Sequence, residues 1–309
     1  MTIEERKVVV IIPIYKPDDK FCRLLDMLHK QRGVSFSTYI IDSGSEHELY
    51  KDYLTGLQYT IVKTNPKEFN HGGTRQKAAE DCKNYSFLVY MTQDAIPADE
   101  YALFHLITCL QNDENIGCAY GRQLPNPDAT PIAAHARLFN YPEQNQTKEL
   151  KDIMRIGIKA AFLSDTFAAY RHEALQQIGN FPSRVILGED SFVAAKMILE
   201  GWKVAYVADA KVYHSHNYTI FQEFKRYFDT GVFHAEQSWI RESFGKAEGE
   251  GKKFVLSEIK YIFKRNPLLL PSMVLRDGMK FLGYRMGISY RVFPRALVNK
   301  ISMMKNYWR

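Results

Sequence analysis

Phe87-Leu-Val-Tyr-Met-Thr-Gln-Asp94-Ala-Ile-Pro97 is the stretch on which the fold turns. A run of β-forming residues ends abruptly in one carboxylate, and a proline closes the strand. In an open α/β sheet, ligands bind just beyond the carboxyl ends of strands, so Asp94 stands where chemistry is expected. A carboxylate there can hold a divalent cation against a diphosphate. The plainer alternative is a capped turn, for which Asp is common.

Working outward, Val8-Val-Val-Ile-Ile-Pro13 is a continuous apolar run of the kind that forms a buried parallel strand. A helix starts at Pro17-Asp18-Asp19, carries Phe21, Leu24, Leu25 and Leu28 on one face, and stops before Gly33. Strands are expected at Thr38–Asp42, Tyr59–Val62, Ile116–Tyr120, Thr166–Tyr170 and Lys203–Val207. Helices are expected from about Thr74, from Asp99 to about Asn112, from His172 to Ile178, and from Gly188 to Gly201. Such alternation implies a doubly wound parallel sheet. The proline-bearing stretch from Gly121 to Lys159 reads as part loop, part helix, on the acceptor side of the site.

The composition is that of an ordinary globular chain: 309 residues, 46% hydrophobic and 25% charged. Four scattered cysteines make neither a zinc motif nor a disulfide framework, which suits a reducing compartment. The start, Met-Thr-Ile-Glu-Glu-Arg-Lys, runs straight into a strand, so no signal peptide is expected. No stretch of apolar residues is long enough for a transmembrane helix. A cytoplasmic protein follows from these features.

Charge is unevenly spread. From Lys252 to Arg309 there are 13 Lys and Arg against two acids, a net +11, although the whole chain is only +6. An anionic partner for this region is implied, a membrane surface or nucleic acid. Gly245 to Lys253 reads as a linker. Beyond it, Val255, Ile259, Ile262 and Phe263 form an apolar stripe beside Lys260, Lys264 and Arg265, and Met273 to Arg309 mixes aromatics with basic residues. Either a helix pair lies in a membrane interface or a helical subdomain packs on the core with a solvated basic face.

Several segments carry candidate chemistry. Asp42, in the turn Asp42-Ser43-Gly44-Ser45, ends a strand where it can accept hydrogen bonds from a base or ribose, or cap the turn. In Asn70-His71-Gly72-Gly73-Thr74-Arg75, two glycines before a helix permit close approach of backbone amides to an anion. Arg75 adds a charge-assisted contact to a carboxylate or phosphate. Glu189-Asp190 either complements a helix dipole or supplies a general base. His214 and His216 flank Ser215 after a strand, so alternation points both the same way, as ligands alongside Asp94 or as satisfied histidines. No G-x-G-x-x-G or P-loop motif occurs, which disfavours dinucleotide dehydrogenases and P-loop enzymes.

Taken in order, strand-Pro13, Asp42-Ser-Gly-Ser45, Asn70-His-Gly-Gly73, Gln93-Asp94-Ala95, Glu189-Asp190 and His214-Ser-His216 resemble the inverting glycosyltransferases of family 2. Within it, Thr92-Gln-Asp94-Ala-Ile-Pro97 and His71-Gly-Gly-Thr-Arg75 look most like bacterial rhamnosyltransferases, particularly the α-1,3-rhamnosyltransferases of streptococcal rhamnose polysaccharides. The resemblance spans about Val8 to Thr219. It implies an α/β GT-A fold, Rossmann-like with a mostly parallel doubly wound sheet. The catalytic domain would cover residues 1–217, its donor half about 1–97 and its acceptor half about 98–217. A mainly helical, basic, membrane-associating region would follow at 218–309.

The same resemblance implies roles. Pro13, Tyr15 and Asp42, with Ser43, would line a thymidine pocket. Asn70, His71, Gly72, Gly73, Arg75 and Gln93 would border the diphosphate or sugar of dTDP-L-rhamnose. Asp94 would hold Mn²⁺ or Mg²⁺ with His214 or His216. Asp190 would be the base, with Glu189 the alternative. Thr92 stands where the usual Asp-x-Asp metal motif has its first acid, and fewer charged ligands imply looser metal dependence. The implied acceptor is a polyprenyl-diphosphate-linked saccharide at the inner face of the plasma membrane. No nucleic acid is expected, and a homo-oligomer is compatible with this reading. A UDP-sugar donor and a non-catalytic nucleotide-sugar-binding scaffold are the alternatives.

Overall fold

The computed structural model describes residues 7–45, 50–245 and 249–308. The first six residues, on which the expected lack of a signal peptide rests, and residues 246–248 of the expected linker lie outside these.

The apolar run becomes β1 (Val8–Ile14), with Val8, Val10, Ile12 and Ile14 buried against one helical layer and Val9 and Ile11 against the other. Burial on both faces is why it reads as continuous rather than alternating hydrophobicity. α1 (Asp19–His29) is capped by the Asp18 carboxylate, which accepts from the Lys20 amide, and it buries the four expected apolar residues. There follow β2 (Phe36–Asp42), β3 (Tyr59–Lys63), α2 (His71–Asp81), β4 (Phe87–Met91), β5 (Ile96–Pro97) and α3 (Ala102–Asn112). The second half holds β6 (Ile116–Leu124), α4 (Pro131–Asn140), β7 (Gln146–Lys148), α5 (Ile153–Ile156), β8 (Phe167–Arg171), α6 (His172–Gln177), α7 (Glu189–Leu199) and β9 (Lys203–Tyr213).

Among the described residues these strands form one sheet, ordered β3-β2-β1-β4-β8-β6-β9-β5, with β7 on β9. The first four are parallel, as expected of βαβ units. Beyond β4 the sheet is mixed: β8 is antiparallel to both β4 and β6, whereas β6 and β9 run parallel. Register then gathers the chemistry at one edge. Ile14 pairs with Asp42, Met91 with Phe167, and Leu124 with Tyr213. The carboxyl ends of β1, β2, β4, β6 and β9 therefore meet the amino end of the reversed strand β8.

Two local expectations are corrected. His71, Gly72 and Gly73 are the first turn of α2, not a loop before it, because the Asn70 side chain accepts the Gly73 amide at 2.6 Å as the N-cap. The expected linker shrinks, since Glu250–Lys253 already belong to α10 (Glu250–Arg265).

The remaining helices are α8 (Ile220–Glu236), α9 (Ser238–Phe244), α11 (Leu270–Ile288) and α12 (Arg295–Ile301). Phe224, Phe228, Val232, Phe233, Ile240, Phe244, Val298 and Ile301 join the same buried cluster as the α2, α6 and α7 side of the sheet. The basic region thus shares the core of the sheet. α8 and α11 meet backbone to backbone. A Cβ on Gly287 would lie 2.0 Å from the Phe228 carbonyl oxygen, and one on Gly283 2.3 Å from that of Phe224. Among the described residues no helix is long and apolar enough to cross a membrane.

Gly287→Ala should lower the unfolding free energy by about 1–3 kcal/mol through overpacking, read from urea denaturation. Gly278→Ala has nothing within 4 Å of its new methyl and should be neutral or stabilising by about 1 kcal/mol. Equal effects from the two would mean that α8 and α11 do not pack at glycine distance.

Candidate active site

Just beyond β4, Asp94 faces the two histidines that follow β9. The Asp94 carboxylate lies 3.5 Å from His214 Nε2 and 3.8 Å from His216 Nε2, and the ligand atoms of all three fall within 4.8 Å of one another. The His-Ser-His segment is pinned by its neighbours: the His214 amide donates to the Leu124 carbonyl, and Ser215 Oγ accepts from the Asn126 amide. The two imidazoles meet edge to face at 4.6 Å, and His216 stacks on Tyr218.

The tautomer of His214 follows from its partner. Arg137 Nη1 donates to Gln123 Oε1 at 2.5 Å, and His214 Nδ1 sits 2.9 Å from the same oxygen. Arginine cannot accept, so that atom is the amide oxygen, and Nδ1 must carry the proton. Nε2 is then a lone pair facing Asp94. Burial holds both histidines below their ordinary pKa, although Asp94 opposes this at His216. Two imidazoles held toward the neutral form and a carboxylate, their ligand atoms turned toward one another, suit a divalent cation. They supply what Thr92 does not.

Deeper in the same cavity lies a cluster of buried charge. Arg75 on α2 is ion-paired to Asp165 Oδ2 at 2.8 Å and to Glu189 Oε1 at 2.9 Å. Asp165 also accepts from the Tyr170 hydroxyl, and its amide donates to Asp190 Oδ2. Gly188, in the left-handed region at φ 79°, turns the chain so that Glu189 and Asp190 open α7 facing inward. Burial pushes the Glu189 carboxyl up, but Arg75, together with His71, Arg226 and a backbone hydrogen bond, holds it low. Burial raises Asp165, Arg75 opposes this, and repulsion by Asp190 and Glu189 leaves the net direction upward. No cation among the described residues is ion-paired to Asp190; burial, then repulsion by Glu189, push its carboxyl up to about 6. That separates the pair, with Glu189 committed to Arg75 and Asp190 free to exchange a proton near neutrality.

Asp94, His214, His216, Asp190, Arg137 and Arg226 line a cavity of about 620 Å³. A second cavity, about 410 Å³, is lined by Tyr15, Ser43, Pro66, Lys67, Phe69 and Asn306. Tyr15 is held by a clamp in which its amide donates to Gln93 Oε1 at 2.8 Å and Gln93 Nε2 returns a bond to its carbonyl.

Several sequence-based roles change. Asp42 is buried and its carboxylate is filled by its own turn, accepting from the Gly44 and Ser45 amides and from the Ser45 and Tyr50 hydroxyls. These bonds make it the keystone of the turn. Pro13, paired within β1, does not line the second cavity. The glycine pair makes room for protein, since a Cβ on Gly72 would lie 1.9 Å from the Pro182 carbonyl oxygen and one on Gly73 3.1 Å from that of Ser183. The Gly73 amide is taken by Asn70. Arg75 meets the carboxylates of Asp165 and Glu189. Sequence reasoning missed Asp165, Gln123, Arg137, Arg226 and Asn306. Asp165, an acid before a strand, left some signal, whereas Asn306 lies 240 residues from the Pro66 carbonyl that its side chain donates to.

Residues 5–228 match the family model described as glycosyltransferase like family 2. The O-antigen chain rhamnosyltransferase WbaN of Salmonella anatum is 43% identical over 300 residues, covering 97% of this chain and 95% of that protein. RfbN of Salmonella typhimurium (strain LT2), of the same description, is 43% identical over 302 residues, covering 98% and 96%. Among solved structures, the fold is similar to mannosyltransferase PcManGT from Pyrobaculum calidifontis in complex with GDP-Man and Mn²⁺. That match has a TM-score of 0.56 at 17% identity over 98% of this chain and 84% of that one. S. aureus TarS 1–349 in complex with UDP gives 0.54 at 17% identity, over 93% and 91%. The GT-A architecture expected from the sequence is therefore the observed one.

Calorimetric titration with Mn²⁺ should give an affinity about 10- to 100-fold weaker for Gln123→Leu than for the parent, the usual effect of losing a ligand's outer hydrogen bond. Gln123→Glu, which still accepts from Nδ1, should stay near the parent. Unchanged binding in both would remove Gln123 from the orientation of His214.

Proposed function

The chain belongs to glycosyltransferase family 2, and we propose that it transfers L-rhamnose from dTDP-β-L-rhamnose to a hydroxyl of a polyprenyl-diphosphate-linked saccharide, with inversion. The observation that carries this reading is the single cavity holding both the Asp94–His214–His216 set and the buried carboxylate of Asp190. The two rhamnosyltransferase relatives support the choice of sugar and a place in surface-polysaccharide synthesis.

Asp190 takes the proton of the acceptor hydroxyl as its oxygen attacks the anomeric carbon on the face opposite the nucleotide. The carbon–oxygen bond to the diphosphate breaks, dTDP departs with the electron pair, and the β-linked donor yields an α-linked product. Glu189 keeps its charge on Arg75 and, by repulsion, keeps Asp190 basic. Arg137 and Arg226 give the cavity the positive field that a departing diphosphate needs. Mn²⁺ or Mg²⁺ held by Asp94, His214 and His216 would neutralise charge on the diphosphate. The thymidine ring fits the second cavity, between Tyr15, Phe69 and Asn306.

The outer faces of α10 and α11 support contact with an anionic bilayer. Leu256, Ile259 and Phe263 (64% exposed) on α10, Leu268 (86%) in the joining turn, and Val274, Leu275, Phe281 (69%) and Leu282 on α11 are open to solvent. On α11 the exposed positions recur at helical spacing and end at Arg285. This arrangement favours a helix pair lying in the interface, its lysines and arginines toward headgroups.

Turnover of dTDP-rhamnose, against UDP-glucose, UDP-GlcNAc and GDP-mannose, is the first assay; turnover of a UDP-sugar alone would discard the donor. Asp190→Asn should abolish transfer and leave dTDP binding by calorimetry within about twofold, and near-parent turnover would exclude Asp190 as base. Because the base acts only when ionised, kcat/KM should rise with pH through about 6 and level off above it. Phe263→Glu/Phe281→Glu should lose sedimentation with anionic liposomes at low salt while melting at the parent temperature. Unaltered sedimentation would exclude these faces as the contact.

A further inference from the structure

A third cavity, about 310 Å³, lies apart from the residues assigned to donor and base, and its lining includes Arg184, Arg291, Arg295, Tyr290, Tyr307 and Trp308. Its hub is aromatic. Trp308 meets Tyr290 at 5.6 Å and Tyr307 at 5.1 Å between ring centroids. Each of these residues meets one arginine: Arg184 lies over the Tyr307 ring, Arg291 over the Tyr290 ring, and Arg295 Nη2 donates to the Trp308 backbone carbonyl at 2.7 Å.

The charge is unbalanced. The one acid in the lining, Glu236, already accepts from the Tyr290 hydroxyl at 2.9 Å and the Tyr307 hydroxyl at 2.5 Å, one on each oxygen. No carboxylate among the described residues pairs with Arg184, Arg291 or Arg295. In addition, Nε1 of Trp308, a residue of the lining, is a buried donor with no hydrogen-bond partner among the described residues. Three guanidiniums and an indole N–H around an aromatic wall form a site for a multiply charged oxyanion.

Position narrows the ligand. The cavity begins where α11 ends, because Tyr290 and Arg291 directly follow the helix whose outer stripe is apolar. Its far wall comes from the segment 302–308, whose Met304 lines the catalytic cavity. Arg184 lies in the loop that leads to Glu189 and Asp190. The cavity thus sits between an apolar helix face and the catalytic cavity.

We propose that this cavity binds a diphosphate, and that the diphosphate is the one joining lipid to sugar in the acceptor. The second clause rests on the proposed function; the first does not.

Inorganic diphosphate titrated into the full chain, metal-free and with dTDP saturating the donor site, tests the first clause by calorimetry and tryptophan fluorescence. Saturable binding is expected, weakened at least tenfold by Arg291→Gln/Arg295→Gln and also by Arg184→Gln, whose side chain makes no hydrogen bond to the 302–308 segment. The affinity for dTDP should stay within twofold in both variants. Absence of saturable binding, or equal affinity in parent and variants, would overturn the site whatever the donor. In transfer assays, the same variants should raise the KM for lipid-linked acceptor at least tenfold with little change in donor KM. Lost diphosphate binding with an unchanged acceptor KM would overturn the acceptor assignment and leave a site for a soluble anion. Failure of dTDP-rhamnose turnover would discard the proposed function while the titration still decides the cavity.

Discussion

Arg75 is the contact on which the catalytic half depends. It joins α2 to Asp165, two residues before β8, and to the first turn of α7, through ion pairs of 2.8 and 2.9 Å that are almost closed to water. Tyr90 on β4 holds the Arg75 carbonyl at 2.8 Å, so the backbone of α2 is tied to the strand that leads to Asp94. Removing one partner from a buried ion pair typically costs about 3–5 kcal/mol, because the other charge is left stranded. Here the one guanidinium answers two carboxylates directly and a third, Asp190, at longer range. One cation among three acids cannot pair with them all, and the acid it does not pair with directly, Asp190, is the most exposed of the three. Structural anchor and chemical asymmetry are therefore the same feature.

The strands and most helices were legible in the sequence because each follows a simple period. The apolar run of β1, the helical spacing of Phe21, Leu24, Leu25 and Leu28, and the breaks at glycine and proline all survive in the structure. The convergence of His214 and His216 with Asp94 was legible as well, since alternation after β9 fixes a common direction. Partners were not. The double glycine carried the signature of an anion loop, but what approaches it is the Pro182–Ser183 backbone, more than a hundred residues away. Asp42 stood at the right strand end, yet its oxygens are used by its own turn and by Tyr50. For Arg75 the local pattern left a carboxylate or a phosphate as partner; the carboxylates it meets, Asp165 and Glu189, are ones that no local pattern connects to it. Burial follows from periodicity, whereas the identity of a polar partner depends on topology.

The C-terminal helices illustrate the same limit. Composition offered two readings, an interfacial helix pair or a subdomain packed on the core, and the fold contains features of both. α8 and α11 bury glycines against each other and share the core of the sheet, while the other side of α11 and much of α10 turn apolar side chains outward. A basic, aromatic-rich sequence does not tell which face of a helix is spent on packing. The glycines at 231, 283 and 287 were the available signal, as small residues at close helix crossings.

The segment 302–308 touches all three cavities: Met304 reaches the catalytic one, Asn306 the second, and Tyr307 and Trp308 the third. It is fastened by the Asp229 carboxylate, which accepts the Met303 amide at 2.8 Å. A cut for domain exchange near residue 97 is one that the chain order alone would suggest. In this fold such a cut would separate Pro66 from Asn306 and leave each half with one wall of the second cavity. A chimera that keeps its specificity must carry the loop around Pro66, the helix bearing Asp229 and the last turn of chain as one inherited unit.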